Sequence, residues 1–128
     1  MADDLPFDDN SFDIVVCFNV LDHCYDPYTV IKECHRALRN SGSLLLWIHA
    51  LRNKYHVFQH LLNRIDRPRP NHFTTEQIKR MAEDHFSLQS LKIVKGAGIY
   101  GYAPYNGNLK LLLANYLTEN VWLNFRKM

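Results

Sequence analysis

The run from Phe12 to Phe18 (FDIVVCF) constrains this chain more than any other segment, because it is almost wholly apolar and carries β-branched side chains at Ile14, Val15 and Val16. Continuous apolar runs of that length mark strands covered on both faces, as in a parallel sheet, so a central strand is expected here. Asp26 then offers an N-cap, with Pro27 at the first helical position. Val30, Ile31, Cys34, Ala37 and Leu38 recur at helical spacing until Asn40, Ser41 and Gly42 stop the helix. Leu44 to Ile48 read as the next buried strand. A strand, a helix and a strand at this spacing form a right-handed parallel crossover.

The second half is less regular. A helix over about Lys54 to Ile65 presents Val57, Phe58, Leu61, Leu62 and Ile65, and the prolines of RPRP after Asp66 end it. Thr74 and Gln77 have capping-box spacing ahead of Ile78, Met81 and Ala82, which predicts a helix to about His85. A strand follows at Leu88 to Val94. Gly96, Gly98 and Gly101 break it into an aromatic loop, and Leu109, Leu112, Leu113, Tyr116 and Leu117 suggest another helix. Finally Val121, Leu123 and Phe125 alternate with Trp122, Asn124 and Arg126, the pattern of a closing strand. No repeat or linker divides the chain, so residues 1–128 read as one domain.

Composition narrows the partners. With 47% apolar and 22% charged residues among 128, the chain can bury an ordinary core. A net charge of +2 with mixed signs argues for neither nucleic acid nor a membrane surface as a partner. The longest apolar runs, LLLWI and LLLA, fall far short of the roughly 20 residues that span a bilayer, and no signal peptide follows Met1. A cytoplasmic location is therefore expected. Cys17, Cys24 and Cys34 are odd in number and do not form a disulfide framework, in keeping with a reducing compartment.

The run LPFDDNSFDIVVCFNVLDH, the helix after it, and NSGSLLLWIHA closely resemble the class I S-adenosylmethionine-dependent methyltransferases, in particular the methyltransferase type 11 kind. HFTTEQI is similar to that family's short helix before its sixth strand. The resemblance implies an α/β fold: a partial Rossmann-like methyltransferase sheet whose strands correspond to the fourth to seventh of the family, with flanking helices. No glycine-rich strand-to-helix turn precedes the match, and the acid that reads adenine in the family corresponds to Met1. The expectation is a chain that starts inside a methyltransferase domain, inactive by itself and acting, in the parent enzyme, on a small-molecule acceptor. The alternative is a non-enzymatic binding or structural module that assembles with a partner chain; a nucleotide-binding dehydrogenase fits the pattern less well.

The resemblance also places S-adenosylmethionine as cofactor, with Ala2 and Asp3 at the adenine edge. Phe18, Asn19 and Val20 lie at the carboxyl end of the first strand, where open α/β sheets bind ligands. His23, beside Asp22, is the general-base candidate, since imidazole titrates near neutral pH; the competing role is a packing or capping histidine. His49, at the end of the next strand, and Tyr100 and Tyr102 in the aromatic loop, with Tyr105, are candidates for substrate contact. His23, Cys24, Cys34 and His35 lack zinc-ligand spacing, so no metal site is expected. Arg64, Arg67 and Arg69 read as a solvated cluster, and Asp3, Asp4, Asp8 and Asp9 as exposed loop. A strand at 13–18 without its family neighbour would be an open edge, which predicts a homo-oligomer joined near Ile14 and Val16.

Overall fold

The computed structural model describes residues 2–67, 69–94 and 116–128. The first strand, β1 (Phe12–Phe18), is followed by helix α1 (Pro27–Ala37) and strand β2 (Leu38–Leu51). A 3-10 turn (Asn53–Phe58), α2 (Gln59–Ile65), α3 (Thr75–Ala82), β3 (Phe86–Val94) and β4 (Thr118–Lys127) complete the described elements. The four strands form one sheet in the order β1-β2-β4-β3, with β1 parallel to β2 and both pairings of β4 antiparallel. The α/β class and the antiparallel closing pair match the expectation from sequence.

Helix α1 begins as its residues dictate. The Asp26 carboxylate accepts hydrogen bonds from the Tyr28 and Thr29 amides, and Pro27 occupies a position whose amide needs no partner. Its apolar face, Val30, Ile31, Cys34 and Ala37, is buried with Leu44, Leu46 and Ile48 of β2 and Val121, Leu123 and Phe125 of β4. Full burial of a side chain of this size contributes about 1.5–3 kcal/mol, so this single face of the sheet carries most of the core. Cys17 and Cys34 lie within it as free thiols; a hydrogen bond between them and burial hold Cys17 well above the ordinary thiol range.

Several boundaries differ from the sequence reading. The helix stops at Ala37, not at Asn40, and Leu38 already begins β2. The Asn-Ser-Gly segment is instead a bulge within that strand. Phe12 pairs with Leu38 but Ile14 with Ser43, and Ser41 takes φ 63°. The helix expected over Lys54 to Ile65 is split into the 3-10 turn and α2, and Val57, Phe58, Leu61 and Ile65 are exposed. Helix α3 ends at Ala82, short of His85. The Gly96 to Gly101 loop, with Tyr100, Tyr102 and Tyr105, and the helix expected around Leu109 to Leu113 lie outside the described residues.

The largest correction concerns β1. Cys17 is buried, but Ile14 and Val16 are 58% and 53% exposed, so β1 is not covered on both faces. It is an outer strand of the described sheet. Its outward side chains share a face with Leu45 and Trp47 of β2, and Trp47 in turn pairs with Trp122 of β4, the two indoles stacked at 5.6 Å.

Candidate functional site

The parallel pair β1 and β2 ends at one edge of the sheet, and the polar residues of the chain converge there. The last ladder bond runs from the Asn19 amide to the Trp47 carbonyl at 2.8 Å. Asn19 itself takes φ 53°, a left-handed conformation that asparagine tolerates better than most residues, and so turns the chain off the strand. The turn that follows is closed by the His23 and Cys24 amides on the Val20 carbonyl. It sends two neighbouring side chains in opposite senses. Asp22 is 3% exposed, whereas the His23 side chain is 42% exposed, with Nε2 3.6 Å from Asp22 Oδ2.

His49 reaches the same region from β2, on the face it shares with Asn120 of β4. It is 7% exposed and its ring meets the Trp47 indole edge to face at 4.9 Å. Burial is the main cause that lowers its pKa from 6.5; the nearby Arg69 charge adds to this, while Asp22 and a hydrogen bond with Asn120 act the other way. The imidazole is therefore neutral at neutral pH.

The connection between α2 and α3 supplies the third wall. Asp66, Arg69 and His72 are all buried, with the Asp66 carboxylate 3.3 Å from Arg69 Nη2 and 3.4 Å from His72 Nε2. Asn63 Oδ1 accepts from the His72 backbone amide and lies 2.9 Å from Nδ1, fixing the ring. Asn71 fastens this connection to the turn after β1. Its side-chain amide donates to the Cys24 carbonyl at 2.7 Å, and its backbone amide donates to the Asp22 carbonyl at 3.4 Å.

Several buried polar groups are not satisfied, three of them on Asn19, Asp22 and His49. Neither carboxylate oxygen of Asp22 accepts a hydrogen bond among the described residues, and Asn19 Oδ1 and His49 Nδ1 are likewise buried without a hydrogen-bond partner. Native interiors pair nearly all such groups, and an unsatisfied buried carboxylate costs several kcal/mol. These atoms mark where the fold has spent stability on something other than packing.

The structure brings Phe18, Asn19, His23 and His49 to one sheet edge, as the sequence suggests. Phe18 is exposed and meets Trp122 edge to face at 5.3 Å. Val20 packs partly into the core, and with Ala2 it lines an apolar cavity of about 320 Å³ between the N-terminal segment, β1 and α1. Asp3 is exposed. Arg69 does not belong to a solvated cluster: it is buried against Asp66. Sequence reasoning missed Asp66, Arg69 and His72 because the prolines between them read only as a helix stop. The i,i+3 spacing of Asp66 and Arg69 was the available signal. No group of three or more potential ligands that could hold a metal occurs among the described residues.

The family model described as a methyltransferase domain matches residues 1–46. Over 46 residues the chain is 39% identical to the ubiquinone biosynthesis O-methyltransferase of Pseudomonas aeruginosa, a match covering 36% of this chain and 18% of that protein. A probable S-adenosylmethionine-dependent methyltransferase of Mycobacterium tuberculosis is 44% identical over 43 residues, covering 34% and 16% respectively. The match thus spans less than a fifth of the curated relatives' length. In fold, the whole chain superposes on 65% of a SAM-dependent methyltransferase from Methanosarcina mazei, with a TM-score of 0.70 at 19% identity. A mixed α/β sheet with flanking helices, matching part of methyltransferase folds, is the class these features define. The first 46 residues match the methyltransferase-domain family, and the fold is that of part of the S-adenosylmethionine-dependent methyltransferases on which the chain superposes.

Proposed function

We propose that this chain forms part of a methyltransferase domain that moves a methyl group from S-adenosylmethionine to a small-molecule acceptor. The observation that carries the reading is the convergence of Asn19, Asp22, His23 and His49 at the carboxyl ends of β1 and β2, within or beside the matched residues. Methyl transfer from a sulfonium is an in-line displacement, so the protein mainly positions two reactants and, for some acceptors, takes a proton. S-adenosylmethionine supplies the activated methyl group when bound. Phe18 and Asn19 would border its sulfonium, and the apolar cavity beside Ala2 and Val20 suits the edge of an aromatic base. Asn19 Oδ1, buried and unpartnered, fits a donor on that ligand.

The methionine carboxylate and ammonium find no comparable cradle among the described residues. Such a cradle needs glycine so that backbone can approach closely, and Gly42, the described glycine, lies within β2 and opens no helix. The 128-residue chain alone is therefore expected to bind the cofactor weakly. Calorimetric titration with S-adenosylhomocysteine should give no fittable heat. Adding in trans the first three strands of a class I methyltransferase, with their glycine-rich turn, should restore binding. Micromolar binding by the chain alone would overturn the weak-binding statement, and no gain on complementation would favour the second reading. That reading is a module that assembles with another chain, and the exposed Ile14 and Val16 of β1 support it.

A further inference from the structure

We propose that the groove where His35, His85 and Lys127 meet binds a phosphomonoester through its phosphate. It lies at the amino-terminal end of the parallel strands, the opposite end of the sheet from Asn19 and His49, and does not depend on the methyltransferase reading.

Three separate elements deliver the donors. His35 stands in the last turn of α1, His85 directly before β3, and Lys127 at the end of β4, where it pairs with Phe86. Together with Lys32 they line a cavity of about 340 Å³. The two imidazoles lie 5.0 Å apart; His35 meets Phe86 edge to face at 5.4 Å, and His85 leans on Tyr28 at 6.1 Å. His85 Nε2 is buried with no hydrogen-bond partner among the described residues. The Lys127 ammonium donates to Asn10 Oδ1 at 3.1 Å and to the Leu38 carbonyl at 2.7 Å, which leaves one of its three protons for a ligand.

Charge decides what the cavity takes. Asp9 and Glu33 also stand on its wall, but Arg36 directs all five of its N–H donors to these two carboxylates and to the carbonyls of Leu5 and Phe7, at 2.7–3.0 Å. The groups left over are cationic or become so on protonation: Lys32, Lys127, His35 and His85. Burial lowers the His35 pKa from 6.5, and the nearby Lys127 and His85 charges lower it further, against a hydrogen bond to the Met128 backbone. Groups that repel one another in this way are relieved by an anion placed among them. The helix dipole of α1 accounts for a basic residue at His35, but not for Lys127 and His85 on other elements. A divalent cation is the poorer occupant. Both carboxylates are held by Arg36, and no set of three metal-ligating groups occurs among the described residues. A phosphate ester brings up to two charges and three acceptor oxygens, enough for Lys127, His35 and His85 at once, whereas a carboxylate brings one charge and two oxygens. The cavity is larger than a phosphate alone, so the alcohol part of the ester has room beside it. Since one His35 ring N–H is given to Met128, the second nitrogen donates only as the imidazolium. Binding therefore takes up a proton and strengthens as the pH falls.

The test is a titration of the 128-residue chain, labelled in its imidazole rings, at constant ionic strength and followed by magnetic resonance. Glycerol phosphate should shift the His35 and His85 resonances saturably and leave those of His49 and His72 in place. Inorganic phosphate should bind there less tightly, and acetate about tenfold more weakly than the ester. Sulfate, whose own charge does not change in this range, should bind several-fold more tightly at about pH 6 than at about pH 7.5. The charged groups facing the two rings are Lys32, Glu33 and Arg36 of α1, Asp9 before β1 and Lys127 of β4. His85→Gln and Lys127→Gln should each weaken ester binding by about tenfold, the value of a hydrogen bond to a charged group. Lys127 also holds Leu38, so Lys32→Gln, at an exposed position, is the variant that leaves the fold intact and should still weaken binding several-fold. The absence of a saturable shift at His35 and His85 with the ester at about pH 6 would overturn the site, as would wild-type affinity in both Lys32→Gln and His85→Gln. Acetate or inorganic phosphate matching the ester would overturn the ligand class, and zinc chloride shifting both rings at lower concentration than the ester would replace the anion with a metal.

Discussion

At Gly42 the backbone leaves no room for a side chain. A methyl group there would lie 2.9 Å from both the Arg39 carbonyl and a Leu38 methyl, and 3.1 Å from the Asp13 carbonyl. Two of these are backbone atoms that cannot rotate away, so Gly42→Ala should destabilise the fold by about 1–3 kcal/mol, read as a lower urea midpoint. The neighbouring Ser41→Gly, at a φ of 63°, should be tolerated or mildly stabilising, which separates crowding from backbone preference. A second prediction at this scale concerns pH. His35, His49 and His72 all have pKa values lowered from 6.5, each chiefly by burial. The unfolded chain therefore binds more protons than the native one from about 6.5 down to the lowered values. Their contribution is complete above that window and is lost as the pH falls through it. Urea unfolding at a series of pH values should show stability rising with pH in that interval, and His72→Gln should flatten the slope.

Among the elements, α3 shows what a sequence states openly. Thr74 Oγ1 accepts from the Gln77 amide, and the Gln77 side chain accepts from the Thr74 amide, the reciprocal pair that the spacing predicts. Gln77 also exchanges two amide hydrogen bonds with Gln59 of α2, at 2.7 and 3.0 Å, a contact that no local pattern reveals. Thr74→Ala should therefore cost about 1 kcal/mol, whereas Gln77→Ala should cost more, because it also strips Gln59 of a partner. Equal urea midpoints for the two variants would show that the Gln59 pair contributes nothing. Local signals of this kind made β1, the start of α1 and the alternation of β4 legible. The end of α1 was not, because Asn-Ser-Gly suits a helix stop and a bulge equally and only pairing with β1 decides between them. The same holds for the site: the residues at strand ends follow from strand positions, but burial of Asp66 and Arg69 depends on a connection folding back over the sheet.

For the molecule as a whole, β1 is the exposed flank. Its run has no proline or lysine to discourage pairing, and Ile14 and Val16 face outward. We propose that two copies associate through this strand, about a two-fold axis. Light scattering should then report a dimer or larger assembly, and Val16→Lys should return it to monomer. A wild-type monomer at high concentration would refute this. A different consequence follows from Asn71, which joins the turn after β1 to a segment some fifty residues later through the carbonyls of Leu21, Asp22 and Cys24. Neither segment can move away from the other without breaking these bonds, so a single asparagine couples the turn at the strand end to a connection distant in sequence, and the two should open together or not at all.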